Sequence, residues 1–452
     1  MSKIQTIAAI DIGTTKIVAI VGTRDDNGNV NVLGFGEAPS KGVSRGSVQN
    51  VGEVSNAIKQ AVRRCQESSG SIFKNVFVGI AGQNIKTTET SHTKVINNRV
   101  ISQADVDELT AEVYKLTKGN NGEEIIHVIP QSYTVDNNSV KLNPVGCSGR
   151  SLTGTFYVVI GSADAVSKIK QAIEMSGLKI LKIVLQSIAA GDAILTNDDK
   201  EVGTLVVDMG SGTTDVSVYY ENALRDITVI PFGGNAITED IKQGCQILWR
   251  QAESLKTQYA AALPDAGSDK SLITISNGTR ADKEVSLADL AAITNARVEE
   301  IVAGIAHVLN ETRYGDIISQ IAITGGGSRL KNLTALMKYR LGREVAVSKP
   351  RGISAETCPK LFNVEYSTVV GLLVKGIEYM EKYNQRAVAE EAAKPEDGSQ
   401  EGGNKPGAGG NTKTDPKPKP KPTPEKKTSR FMNWVNNTLK SMFGEDGTEA
   451  KI

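Results

Sequence analysis

Up to about Tyr383 the chain alternates short apolar, β-branched runs with segments whose apolar positions recur at helical spacing. The runs "TIAAIDIG", "NVFVGIAG", "TFYVVIG", "TLVVDMG" and "QIAITGGG" predict strands covered on both faces, and hence an α/β protein with largely buried sheets. From Asn384 the pattern collapses. The stretch to Thr428 holds almost no large apolar residue, and its Pro–Lys alternation, with Pro406, Pro416, Pro418, Pro420, Pro422 and Pro424, favours solvated polyproline II over a packed core. Periodicity returns once, in "SRFMNWVNNTLKSMF". As a helix this segment places Phe431, Trp434, Val435, Thr438, Leu439, Met442 and Phe443 on one side and Asn433, Asn436, Asn437, Lys440 and Ser441 on the rest.

At 452 residues the chain exceeds the size at which one core stops growing, so two or more lobes are expected. A formal charge of +1, with both signs interspersed, argues against a nucleic-acid binder. Cys65, Cys147, Cys245 and Cys358 are far apart and form no CxxC pair, which suggests neither a disulfide framework nor a zinc site and fits a reducing cytoplasm. "MSKIQTIAAIDIG" does not read as a signal peptide, and nowhere do about 18 apolar residues run together as a spanning helix requires.

An internal echo carries more information. "IAAIDIGTTKIVAIVG" (7–22) and "TLVVDMGSGTTDVSVYY" (204–220) share an apolar strand ending in Asp-x-Gly, a short Gly/Thr turn and a β-branched strand, as two lobes on one plan would. Asp-Gly punctuation alone marks any hairpin, but two such turns predict a paired phosphate site. The small residues Gly13, Gly210, Ser211 and Gly212 let backbone N–H groups converge on phosphate oxygens, and Thr14, Thr15, Thr213 and Thr214 add hydroxyls. Asp11 and Asp208, at the strand ends, are placed to hold a hydrated Mg²⁺. Lys16 either neutralises the β-phosphate or is a solvated hairpin lysine. Neither turn is a Walker loop or a Rossmann fingerprint. The later run Gly325-Gly326-Gly327-Ser328 is read as a strand-to-helix turn that admits an adenosine, since Leu330, Leu333, Leu336, Met337 and Leu341 follow at helical spacing. Glu253 and Lys256, three apart on one helix face, either reach the ribose or base or form a surface ion pair.

The order Asp-x-Gly-Thr-Thr-Lys, Asp-x-Gly-x-Gly-Thr-Thr-Asp, strand-GGGS-helix resembles the phosphate-1, phosphate-2 and adenosine motifs of the actin, sugar-kinase and DnaK-type chaperone superfamily. Within it the chain is most similar to the FtsA family of bacterial division proteins, through "GIAGQNIKTTETS", "ISQADVDEL", "EEIIHVIPQSYTVD", "ALRDITVIPFGGNAITEDI" and "ADLAAITNARVEEI". The resemblance implies an actin-like two-lobed ATPase fold of duplicated ribonuclease-H-like domains. Its first lobe is 1–82 with 162–201, an FtsA-type subdomain is inserted at 83–161, and its second lobe is 202–234 with 320–383. A subdomain at 235–319 receives the C-terminal peptide of the tubulin-like FtsZ, with Arg297 as a candidate contact or merely a helix-face charge. It implies ATP and Mg²⁺ as cofactors and adds Gly233, Gly234 and Asn235 to the nucleotide contacts. Gln186 falls where relatives carry a water-positioning Gln or Glu, and Asp11 and Asp208 share its catalytic assignment. Ser187 departs from the usual apolar residue there, which leaves the pace of hydrolysis open. Gly371, in "STVVGLLVKG", matches the second inter-lobe helix, where a small residue permits close packing.

The disordered linker 384–428, the amphipathic helix 429–443 and the acidic end 444–452 complete the expected map. Between Lys413 and Arg430 the net charge is +5, with Lys426, Lys427 and Arg430 nearest the helix. Some fifteen residues are too few to span a bilayer, which takes about 20, but enough to lie among headgroups. A basic flank attracts anionic lipid at about 1 kcal/mol per cation close to the surface. The same stripe also suits docking on the chain's own body or in a partner's groove. The expected function is an ATP-binding, polymerising division protein on the cytoplasmic face of the inner membrane at the division site, which tethers FtsZ filaments and recruits other division proteins. The alternatives are a small-molecule kinase of the same fold and a pilus-type actin-like adaptor.

Overall fold

The computed structural model describes residues 6–25, 28–81, 85–117, 122–140, 143–263, 271–277, 280–356 and 358–392. The segment 429–443 and its basic flank, with Phe431, Trp434, Val435, Leu439, Met442, Phe443, Lys426, Lys427, Arg430 and Lys440, lie outside the described residues.

The first sheet starts with β1 (Ile7–Ile12), β2 (Lys16–Arg24) and β3 (Val30–Pro39), followed by the short hairpin β4 (Val43–Ser44) and β5 (Ser47–Val48), α1 (Val51–Ser69) and β6 (Asn75–Ile80). β1 and β2 pair antiparallel with Asp11 opposite Val18, whereas β1 and β6 run parallel. Nearly every residue of β1 and β2 is buried, as their unbroken apolar sequence demands. α1 starts where the Asn50 side chain accepts the Glu53 N–H at 3.1 Å and stops at the left-handed Gly70.

An insertion follows: β7 (Lys86–Val100), α2 (Gln103–Leu116), β8 (Glu123–Val135), β9 (Asn138–Val140) and β10 (Ser148–Ser162). Its strands form a separate antiparallel sheet in the order β7-β10-β8-β9. Ile96, Leu109, Tyr133, Leu152 and Phe156 give it a core of its own. Ser102 and Asp105 cap α2 reciprocally, and Asp105 also receives both Arg99 Nη atoms, at 2.6 and 2.5 Å.

The chain returns through α3 (Ala163–Met175), β11 (Lys179–Leu185), α4 (Gln186–Ile194) and α5 (Asn197–Val202). A second sheet then repeats the plan with β12 (Thr204–Met209), β13 (Thr214–Tyr220) and β14 (Ala223–Ile230). It is interrupted by α6 (Gly234–Cys245), α7 (Trp249–Tyr259), β15 (Leu272–Asn277), β16 (Arg280–Ser286) and α8 (Leu287–Glu311). It is completed by β17 (Gln320–Thr324), α9 (Leu333–Leu341) and β18 (Glu344–Val347). β19 (Ile353–Ser354) crosses back to the edge of the first sheet beside β3, and α10 (Ser367–Ala392) follows.

The first sheet has the order β11-β6-β1-β2-β3-β19 and the second β14-β13-β12-β17-β18. Read outward from each hairpin, three antiparallel strands and two parallel ones recur, so the sequence echo is a duplicated fold. β17 leads through the glycine turn to α9, but Gly326–Arg329 form a 3-10 turn, so the α-helix begins at Leu333, after the left-handed Asn332, and not at Leu330. Among the described residues no helix is long and apolar enough to cross a membrane.

Candidate nucleotide cleft

The two duplicated turns are held alike. Gly13 N–H donates to the Lys16 carbonyl at 3.0 Å, and Gly210 N–H donates to the Thr213 carbonyl at 2.9 Å. Each hydrogen bond closes a tight loop at the end of an Asp-bearing strand. The loops face one another, with Thr15 Oγ1 3.3 Å from Ser211 Oγ and Thr14 Oγ1 accepting Gly46 N–H at 3.2 Å. A side chain at Gly212 would bring a Cβ to 2.5 Å from Thr14 Oγ1, so only glycine fits there.

Between the turns lies a cleft of about 610 Å³. It is lined by Asp11, Gly13, Thr14, Thr15 and Lys16 of the first turn and Asp208, Gly210, Ser211, Gly212 and Thr213 of the second. Gln186, Gly234, Glu253, Lys256, Gly325, Gly326 and Gly327 complete the expected set that reaches it. Gly325 has φ of 80° and stands where a Cβ would lie 2.3 Å from Asp208 Oδ1, which explains glycine on both counts. Glu253 and Lys256 line the cleft as an ion pair of 2.7 Å, and Lys256 Nζ also donates to the Gly234 carbonyl and Thr238 Oγ1.

Four expected residues do not line it. The Thr214 hydroxyl is buried and donates to the Phe232 carbonyl at 2.8 Å, because alternate strand residues point to opposite faces of the sheet. The Ser328 hydroxyl is likewise buried and donates to the Gly325 carbonyl at 2.7 Å. Gly233 caps α6, and Asn235 N–H donates to the Ser211 carbonyl at 2.8 Å. These residues shape the turns from behind.

Asp215, Thr368, Glu365 and Arg329 also line the cleft, beyond the residues of the three glycine-rich turns. Asp215 was legible: it stands directly opposite Asp208 in the β12–β13 register, and cross-strand partners share a face. Thr368 and Glu365 come from the distant start of α10, beyond the reach of local pattern.

The electrostatics favour a cation. Desolvation, with Asp208 nearby, pushes Asp11 up to about 7 despite Lys16 and a hydrogen bond from Gln186. Desolvation raises Asp208 to about 6 against a 3.0 Å hydrogen bond from Thr368, and raises Asp215 to about 7 with Asp208 adding to it. Three carboxyls that resist ionisation together would be relieved by a positive ion. Among the described residues no three His, Cys, Asp or Glu are grouped to ligate one metal directly. This donor set fits Mg²⁺ carried largely by water and phosphate. Burial lowers the Lys16 pKa while Glu365, Glu37 and Asp11 oppose it, and its ammonium lies 3.6 Å from the centre of the Tyr366 ring. Gln186, the first residue of α4, donates from Nε2 to Asp11 Oδ1 at 2.6 Å.

Arg297 lies away from the cleft, on α8. Its Nε and Nη2 donate to the two oxygens of Asp240 at 2.6 and 3.0 Å, another nitrogen bonds Glu300, and the guanidinium faces Phe232. Only 12% of the side chain is exposed. These bonds tie the cation into the α6–α8 junction.

Two lobes of one strand order, joined by crossing helices and closing on paired Asp-x-Gly turns, define an actin-like protein. The PilM–PilN type IV pilus biogenesis complex shares this fold, with a TM-score of 0.62 at 14% identity over 82% of this chain and 98% of that one. So does MreB 5 of Spiroplasma citri bound to AMPPNP, with a TM-score of 0.52 at 12% identity over 86% and 99%. Residues 205–371 match the family described as cell division protein FtsA, and residues 82–160 match the SHS2 domain inserted in FtsA. Cell division protein FtsA of Pseudomonas aeruginosa is 31% identical over 383 residues, 84% of this chain and 91% of that protein. The chain belongs to the FtsA family of cell-division proteins.

Proposed function

We propose that the chain binds ATP with Mg²⁺ in the cleft, assembles into actin-like filaments on the inner face of the cytoplasmic membrane, and holds FtsZ filaments there. The observation that carries the nucleotide reading is the pair of facing turns closing over Asp11, Asp208 and Asp215. Backbone N–H groups, hydroxyls and Lys16 suit a polyphosphate tail, and Asp11 and Asp208 suit the hydrated cation that travels with it. That MreB 5 was solved with AMPPNP supports the same choice of ligand.

Phe431, Trp434, Val435, Leu439, Met442 and Phe443 form the face for anionic lipid, with Lys426, Lys427, Arg430 and Lys440 beside it. One short helix holds a membrane weakly, whereas a filament carrying many multiplies the attachment through effective concentration. The 235–319 segment receives the FtsZ C-terminal peptide, and later division proteins join the assembly. The test is co-sedimentation with vesicles rich in phosphatidylglycerol. ATP-loaded protein is expected to pellet with vesicles and to bring FtsZ down with it, and Trp434→Glu is expected to stay in the supernatant. Equal pelleting of both proteins would overturn the membrane reading, and failure to bind ATP would overturn the cleft reading.

A further inference from the structure

β11 is an edge strand, so N–H groups on its outer side have no ladder partner. At its last residue the insertion supplies one. His127, on β8, accepts the Leu185 N–H through Nε2 at 3.0 Å. Leu185 is also the residue from which α4 starts, and it lacks a side-chain cap. The imidazole thus gives this N–H an acceptor from a different sheet.

The next residue is Gln186. Its side chain crosses Gly79 of β6, where a Cβ would come within 2.9 Å of Gln186 Cγ, and its amide reaches Asp11 Oδ1 at 2.6 Å. A continuous path thus runs from the inserted sheet through His127, Leu185 and Gln186 to a carboxylate in the cleft. Burial and the cations of Lys182 and Lys375 push the imidazole down to about 3, which leaves Nε2 free to accept.

Resting on the nucleotide reading of the cleft, we propose that His127 is a positioning residue for Gln186. Through it the seat of the inserted subdomain sets the affinity of the cleft for a nucleoside triphosphate. Without an acceptor at position 127 the end of β11 must move to find its N–H another partner, and the first residue of α4 moves with it. By linkage, a ligand that shifts β8 changes nucleotide affinity by the factor with which nucleotide changes that ligand's affinity.

The test is ATP binding with Mg²⁺, by titration calorimetry, on the full chain and four variants: His127→Leu, His127→Gln, Gln186→Ala and the double variant His127→Leu/Gln186→Ala. Leucine fills space but accepts nothing, whereas the glutamine carbonyl reaches the place of Nε2. His127→Leu is expected to weaken ATP binding about fivefold or more, as coupling between linked residues allows. His127→Gln is expected to stay within about twofold of wild type, and in the Gln186→Ala background the leucine is expected to change nothing further. Unchanged affinity in His127→Leu would overturn the proposal. So would an equal loss with and without Gln186, the mark of general distortion. If His127→Leu melts below the assay temperature, His127→Asn, whose carbonyl falls short of Leu185, takes its place with the same expectations. A wild-type chain that binds no ATP would instead refute the cleft assignment, and this proposal with it.

Discussion

Gly371 of α10 stands so close to Ala189 of α4 that a Cβ there would lie 1.7 Å from the Ala189 carbonyl oxygen. The two helices cross between the sheets at this point, and no flexible side chain can yield. Gly371→Ala is expected to destabilise the chain by about 3 kcal/mol or more, the upper end of overpacking costs, read as a fall in urea midpoint. A midpoint within error of wild type would mean that the helices cross farther apart.

Lys16 has its ammonium on the Tyr366 ring and no direct ion pair among the described residues, although Glu365, Glu37 and Asp11 act on it. A bound polyphosphate would give it a charge-assisted partner. Lys16→Gln is therefore expected to weaken ATP binding roughly tenfold or more, since hydrogen bonds to charged groups contribute about 1.5–3 kcal/mol. The apo melting temperature should hardly change, which separates a ligand contact from a structural one.

The three aspartates give stability a definite pH slope. Their folded-state values of about 7, 6 and 7 lie above the ordinary carboxyl value. The unfolded chain releases these protons near pH 4, so their contribution to stability is complete below about pH 4 and is lost as pH rises through 6 to 7. Asp215, with Oδ1 buried and unpartnered, isolates the effect. Asp215→Asn is expected to gain on wild type in melting temperature between pH 5 and pH 8. A constant difference across that range would place the carboxyl in contact with water.

Arg297 offers a contrast between internal and external use. Removing it leaves Asp240 and Glu300 facing each other without a cation. Arg297→Ala is expected to cost about 1–3 kcal/mol in stability, the range for a partly buried hydrogen-bonded pair, and a second change, Asp240→Asn, should return part of it. Loss of FtsZ-peptide binding with an unchanged melting temperature would instead make it a contact residue.

The elements most legible in the sequence were those whose cause is local. The hairpins around Gly13 and Gly210 follow from unbroken apolar strands ending in Asp-x-Gly, and the repeated strand order follows from the repeated pattern. Linear spacing was silent wherever tertiary geometry decides. Thr213 and Thr214 are equivalent on paper, yet the pleat sends the first to the cleft and the second to Phe232. Leu330 looked like the start of a helix and instead ends a 3-10 turn, because the glycines ahead of it bend around Asp208 and Met209. Thr368 reaches Asp208 across 160 residues of chain, a distance no window can see.

The 3.3 Å approach of Thr15 Oγ1 to Ser211 Oγ has a kinetic meaning. Two neutral hydroxyls from opposite lobes touch there, across the mouth of the paired turns. A phosphate bound there, as proposed, would exchange that contact for stronger bonds to an anion. On the proposed nucleotide reading, arrival would be similar for di- and triphosphates, and the difference between them would appear in how long each stays. On that reading the hydroxyl pair would make the cleft a clock, started by any nucleotide and read by its departure.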